Sequence, residues 1–246
     1  MNEPLVRRTD RDGVAIIELH RPHRKNAIVA PLLDELATHV DAASTDDSIE
    51  VVLLCGAGGA FCSGLDLTEH NADPPPAWLP TASTSLKAAH TALGACPQPV
   101  VVALERYAIN GGAAFALAGD LVVAGRESWL QVGEARLGMN APMNLAWLVA
   151  RYPMATVLQI VLPGARLTGP DLLRLGIAHE VVDDDQVRSR AEALAAEIAS
   201  FPAGSARRLK QSALRLARDL PAATTTPEWF DRAAALAPAA APPPRS

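Results

Sequence analysis

"GGAFCSGLD", residues 58–66, leaves an apolar run, Val51 to Cys55, that reads as a buried strand. A glycine turn leaving a strand usually holds phosphate, yet this one closes on an aspartate, Asp66. A dinucleotide fingerprint needs G-x-G-x-x-G, whose last glycine lets the helix pack on its strand. Gly56 and Gly58 are in place, but Phe61 occupies the third position. A Walker loop fails as well, because no Gly-Lys-Ser/Thr follows. What remains is a ligand-free structural turn, or a turn that offers main-chain amides to an anion.

A second turn, "NGGAAFALAGD" at residues 110–120, repeats the design: backbone-permissive residues, a helix start built from small side chains, then an aspartate. Helix N-termini carry unpaired amides, so two such turns have the makings of one oxyanion hole.

Around these turns strands and helices alternate. "GVAIIELHRP" (13–22) is a strand with Val14, Ile16 and Glu18 on one face, stopped by Pro22. "PLLDELATHVDAAS" (31–44) sets Leu32, Leu33, Leu36 and Val40 at helical spacing behind a first-turn proline, Pro31. A proline-rich segment, "DPPPAWLP" (73–80), precedes the helical "TSLKAAHTALGACP" (84–97). Further strands are expected at "PVVVALE" (99–105), "LVVAG" (121–125) and "WLQV" (129–132), in a mostly parallel or mixed sheet with helices outside it. From "NLAWLVARYPMATVLQIVL" (144–162) onward the pattern is helical, with Thr168 and Asp185 read as N-caps and Gly176 as a C-cap. The signal decays from Pro221, and "APAAAPPPRS" (237–246) reads as a frayed tail. No internal sequence repeat is visible.

Composition narrows the partners. The chain has 246 residues, 49% of them hydrophobic and 20% charged, which fits a folded globular protein with a core of Ala, Val and Leu. A net charge of −5 argues against nucleic acid, which calls for a basic face. Cys55, Cys62 and Cys96 form neither a paired framework nor a metal-ligand spacing and read as small core residues in a reducing compartment. The six histidines show no metal spacing and are expected in core or surface roles. A polar start, "MNEPLVRRTD", and the lack of a long apolar run argue against a signal peptide and a membrane span. The expected location is the cytoplasm.

Four stretches in order carry a resemblance to the crotonase family, the enoyl-CoA hydratases and isomerases. "HRPHRKNA" (20–27) is similar to the family's R-P-x-x-x-N-A, "AFCSGLDL" (60–67) to A-F-x-x-G-x-D-L, "NGGAAFALAGD" to its G-G-G segment, and "VGEARLG" (132–138) to its acidic segment. "LPGARLTGPDLLRLGIAHEVV" (162–182) extends the likeness. The resemblance implies an α/β fold, the ClpP/crotonase-like spiral of ββα units, with a core over 1–182 and a helical C-terminal region over 183–246. It also implies a CoA thioester substrate, no cofactor beyond that CoA, no metal, and a homotrimer or dimer of trimers.

By the same resemblance the oxyanion amides are those of Leu65 and Gly111. Family hydratases use two glutamates. The first position, three residues after Gly111, holds Ala114, and the second, fourteen after Asp120, holds Glu134. Alanine can neither take a proton nor orient water, whereas one desolvated glutamate with a raised pKa can serve as base and then acid. An isomerase is therefore the preferred reading, a hydratase the second, and an acyl-CoA-binding protein that has lost efficient catalysis the third. The expected substrate-binding set is Arg24, Lys25, Ala27, Ser63, Leu65, Asp66, Leu67, Gly111 and Gly112. Arg24 and Lys25 are placed toward the CoA phosphates or adenine, against the alternative of a merely solvated basic loop. Ser63 is expected to contact adenine through its backbone, and Asp66 and Asp120 to bond turn amides.

Three departures from the family pattern stand out. Gly133 replaces a common proline, which would loosen the backbone aiming Glu134; Asn110 and Arg106 replace glycines, with strain or a changed turn expected at Arg106. Pro142 stands where dehalogenase-like members carry a nucleophilic aspartate, and neither Ser63 nor Ser205 lies in G-x-S-x-G, which argues against displacement and serine-protease chemistry. The short, proline-terminated end is expected to leave the CoA lid open or to have it supplied differently.

Overall fold

The computed structural model describes residues 3–219. The expected frayed tail and the shortened end lie outside the described residues.

The chain opens with a hairpin, β1 (Val6–Arg11) and β2 (Val14–Leu19), joined by Asp12 and Gly13, both at positive φ, as a tight two-residue hairpin turn requires. Then follow α1 (Ala30–Ser44), β3 (Val51–Gly56), a one-turn α2 (Leu67–His70), α3 (Ala82–Ala95), β4 (Val100–Leu104), β5 (Tyr107–Ile109) and α4 (Gly111–Ala118). Next come β6 (Leu121–Gly125), β7 (Trp129–Gln131), a 3-10 turn over Glu134–Leu137, α5 (Pro142–Arg151) and α6 (Met154–Val161). The described chain ends with β8 (Arg166–Thr168), α7 (Gly169–Arg174), β9 (Glu180–Val182), α8 (Val187–Ala199) and α9 (Ser205–Asp219).

Two sheets result. The larger runs β1-β2-β3-β4-β6-β9 and is parallel except for β1; the smaller runs β5-β7-β8. Each turn of the chain gives one strand to the large sheet and a second, shorter extended piece beside it, then a helix. In two turns that second piece is a strand, β5 or β7; in the two preceding turns it is a single parallel bridge, Ile28 with Leu65 and Cys62 with Ala108. The repeat is structural, a spiral of strand, strand, helix, although the sequence carries no repeated motif.

Strand parity divides the core. Ala15, Ile17, Leu19, Val52, Leu54, Val100 and Val102 face the main core with α1, α3 and α4, while Val14, Val51, Leu53, Val101 and Val123 pack under α8 through Val187, Ala191 and Leu194. A sheet covered on both faces reads as a continuous apolar run, as β3 and β4 do. Val14, Ile16 and Glu18 do share a face, as expected, but it is the one under α8.

Several local readings change. Asp185 is not a cap: it lies inside a 3-10 turn, Asp184–Gln186, and the N-cap of α8 is Gln186, which makes no side-chain cap bond. Thr168 does cap α7 in a reciprocal box with Asp171, and Gly176 follows its last turn at φ +72°. The helical run 144–162 is broken in two because Pro153 has no N–H and holds Tyr152 extended at φ −129°, ψ 150°. Cys55, Cys62 and Cys96 are buried and free, as expected.

Candidate active site

The spiral docks the two glycine turns edge to edge. Cys62 N donates to Tyr107 O at 3.1 Å, and Ile109 N returns to Cys62 O at 3.1 Å. A Cβ at Gly64, which sits at φ +87°, would lie 2.6 Å from the Ile109 carbonyl oxygen, and one at Gly112 would lie 2.6 Å from that of Cys62. Only glycine permits this approach.

That contact leaves two amides unspent. Ile28 N donates to Gly64 O and Asp66 N to Ile28 O, so the bridge brackets Leu65 without using its N–H. Gly111 is the first residue of α4, ahead of the helical ladder. Among the described residues neither Leu65 N nor Gly111 N donates a hydrogen bond.

Asn110 holds the second turn in shape. Its backbone stands at φ 50°, ψ −114°, a conformation suited to glycine, and its side chain compensates. Oδ1 accepts from Gly133 N at 2.8 Å while its own N donates to Gln131 O at 2.8 Å. A proline at 133 has no such hydrogen to give. The two departures therefore fit each other, and Glu134 is anchored by a bond rather than loosened. Arg106 does adopt a positive φ of 56°, as expected.

Glu134 opens the 3-10 turn that follows and is 7% exposed. Oε1 accepts from Asn144 Nδ2 at 2.8 Å, and Oε2 is buried with no partner. Burial pushes the carboxyl up to about 6, against the lowering effect of its own backbone N–H and of Asn144. The same Asn144 Nδ2 donates to Asn110 O at 3.0 Å, tying the carboxyl to the Gly111 turn. Ala114, on α4, is fully buried.

The predicted substrate-binding residues Arg24, Lys25, Ala27, Ser63, Leu65, Asp66 and Leu67 line one cavity of about 250 Å³, with His23 and Thr68. Gly111, Gly112 and Glu134 lie outside that lining. Asp66 caps α2 through Glu69 N and takes two hydrogen bonds from Arg24. Burial alone would raise its pKa, but the Arg24 and Glu69 hydrogen bonds and the nearby Arg21 charge outweigh it and hold the carboxyl below its ordinary value. Asp120 likewise serves a backbone amide, that of Val100, at 2.8 Å.

Three residues escaped the sequence reading. Asn144 looked like one more residue of a helix, since nothing in spacing says which side chain meets Glu134. Arg21 is buried against Asp66, Glu69 and the Ala27 carbonyl. Asn26, at φ 54°, bonds Arg21 N, Ala57 O and Ala60 O. The R-P-x-x-x-N-A pattern, whose Arg and Asn are Arg21 and Asn26, was the available signal. His90 is buried beneath α5, where its Nδ1 accepts from Trp147 Nε1 at 3.0 Å, and burial pulls its pKa down to about 3.

A strand-strand-helix spiral thus docks two glycine turns, leaves the Leu65 and Gly111 amides without an acceptor among the described residues, and ties the buried Glu134 carboxyl to the second turn through Asn144. The chain belongs to the enoyl-CoA hydratase/isomerase family, whose model matches residues 9–228. It is 32% identical over 206 residues to the 1,2-epoxyphenylacetyl-CoA isomerase of Escherichia coli K12, covering 81% of this chain and 78% of that one. To the (E)-benzylidenesuccinyl-CoA hydratase of Thauera aromatica it is 30% identical over 212 residues, covering 85% and 81%. Among solved structures, an enoyl-CoA hydratase/isomerase from Pseudoalteromonas atlantica T6c matches the fold with a TM-score of 0.81 at 22% identity, covering 94% and 89%. The fold and family expected from the sequence are thus those observed. Among the described residues no helix is long and apolar enough to cross a membrane.

Proposed function

We propose that this enzyme moves the double bond of an enoyl-CoA thioester, with Glu134 as the single proton carrier. The Leu65 and Gly111 amides receive the thioester oxygen. Glu134 Oε2 takes a proton from C2, the C–H electrons pass into the carbonyl as a dienolate, and the same oxygen returns the proton to C4 as the C2=C3 bond forms. No water or redox partner enters the balance.

The observation that carries this reading is the state of Glu134: buried, bonded at one oxygen only, and raised to about 6, so that near neutral pH it is ionised yet readily protonated. Preorganised amides supply the other half, and loss of one such donor costs about 100 to 1,000-fold in rate where it has been tested. Hydration is the weaker reading although several relatives are named hydratases, because Ala114 stands fully buried where a second carboxylate is needed to activate water. CoA is proposed to lie along the cavity lined by Arg24, Lys25, Ala27 and Ser63.

The test is incubation with 2-enoyl and 3-enoyl CoA thioesters beside Glu134→Gln, with CoA binding measured in parallel. Isomerisation predicts 2-enoyl product from the 3-enoyl substrate, lost in the variant. A 3-hydroxyacyl product from the 2-enoyl substrate would replace this reading with hydration, and binding without turnover would replace it with a carrier.

A further inference from the structure

Asn144 spends both hydrogens of its side-chain amide on the two halves of the site. Nδ2 donates to Glu134 Oε1 at 2.8 Å and to the Asn110 carbonyl at 3.0 Å. The second acceptor matters because the Asn110 carbonyl and the Gly111 N–H belong to one peptide unit. A donor on that carbonyl polarises the amide and strengthens its N–H as a donor. The orientation is fixed by chemistry: turning the amide over would set Oδ1 against a carboxylate oxygen and a carbonyl, two acceptors facing an acceptor. Oδ1 itself is buried without a partner, a cost that the two donated bonds must offset.

We propose that Asn144 is a positioning residue that couples the acid-base carboxyl to the thioester-oxygen site, leaving only Oε2 of Glu134 able to carry the proton and polarising the peptide whose N–H belongs to Gly111. This rests on the proton-transfer reading of Glu134. No other ionisable side chain of the neighbouring elements substitutes for it. α4 brings none, β7 brings none, β5 brings only Tyr107, packed on the Trp129 ring, α3 brings His90, whose Nδ1 accepts from Trp147, and α5 brings only Arg151, which donates to the carbonyls of Ala118 and Gly119. Arg136, on the same turn as Glu134, reaches away to the Pro163 carbonyl.

The sign follows from the bond. Asn144 favours the ionised carboxyl, so removing it raises the Glu134 pKa and weakens the Gly111 donor together. The experiment uses Asn144→Leu, near in size and without donors, and Asn144→Asp, which keeps the shape. In the free enzyme the Glu134 carboxyl is titrated by carbon NMR of labelled glutamate, assigned by its loss in Glu134→Gln, and the Gly111 amide proton is followed in the same samples. Turnover of a 3-enoyl-CoA thioester is measured across pH alongside.

Both variants should titrate Glu134 at higher pH, and Asn144→Leu should shift the Gly111 amide proton upfield. The acidic limb of kcat should move up with the titration, and kcat at neutral pH should fall about tenfold or more with KM within about threefold. An unchanged Glu134 titration in either folded variant overturns the proposal. If the wild type fails to convert the 3-enoyl substrate while the titration and the Gly111 resonance still move with Asn144, the isomerase reading falls and the coupling stands.

Discussion

Replacing Glu134 by Gln should shift stability progressively in the variant's favour as pH rises, because the native carboxyl is held in a place that resists its charge. The shift from an ordinary 4.5 to about 6 corresponds, at about 1.4 kcal/mol per pH unit, to about 2 kcal/mol favouring the protonated form. With the folded pKa above the unfolded one, the native state binds more protons between those values. The contribution is present below pH 4.5 and is lost as pH rises through about 6. Gln keeps an acceptor for Asn144 Nδ2 and puts an NH2 group where Oε2 has no partner, a cost of about 1 to 3 kcal/mol that does not vary with pH. The pH-dependent part of the difference is therefore the informative quantity. Urea unfolding of both proteins from pH 4 to 7.5 should show the variant gaining about 2 kcal/mol relative to wild type across that range, nearly all of it before pH 7. A difference that stays flat with pH would refute the desolvated-carboxylate account of Glu134.

Other expectations follow from the same geometry. Gly64→Ala places a methyl 2.6 Å from the Ile109 oxygen at φ +87°, so it should part the two turns and lower kcat about 100-fold or more while circular dichroism stays native. Gly133→Pro removes the hydrogen that Asn110 Oδ1 accepts; a loss of about 1 to 3 kcal/mol in thermal or urea unfolding is expected, and no loss would mean that the compensation between the two positions is illusory. Burial pushes the Cys55 and Cys62 thiols up to about 12, and all three cysteines are buried, so a thiol reagent at pH 8 should label none in the native protein and all three in denaturant. Arg24→Ala removes two hydrogen bonds from Asp66 and a cation from the cavity wall, and should raise the KM for a CoA thioester more than it lowers kcat.

The large sheet was legible because β3 and β4 are apolar throughout, a pattern forced by helices on both faces. β1 was not, since an edge strand with only Val6 buried carries no hydrophobic pattern. The three-residue strands β5, β8 and β9 are too short for any periodicity to register. At the site, glycines marked the turns because close approach at Gly64 and Gly112, with a positive φ at Gly64, leaves few other choices. The pairing of Asn110 with Gly133 was invisible: each looked like a separate flaw, and only their contact makes them one device. Asn144 was hidden for a like reason, since its meaning lies in two acceptors from elsewhere in the chain.

The central claim is that one carboxyl lifts a proton from a thioester whose oxygen the Leu65 and Gly111 amides hold. It is tested most directly with a 3-enoyl-CoA thioester carrying deuterium at C2, incubated in ordinary water, with the label located by NMR. The account predicts 2-enoyl product with part of the deuterium at C4, and no product from Glu134→Gln despite retained binding. Turnover by Glu134→Gln at the wild-type rate would contradict it.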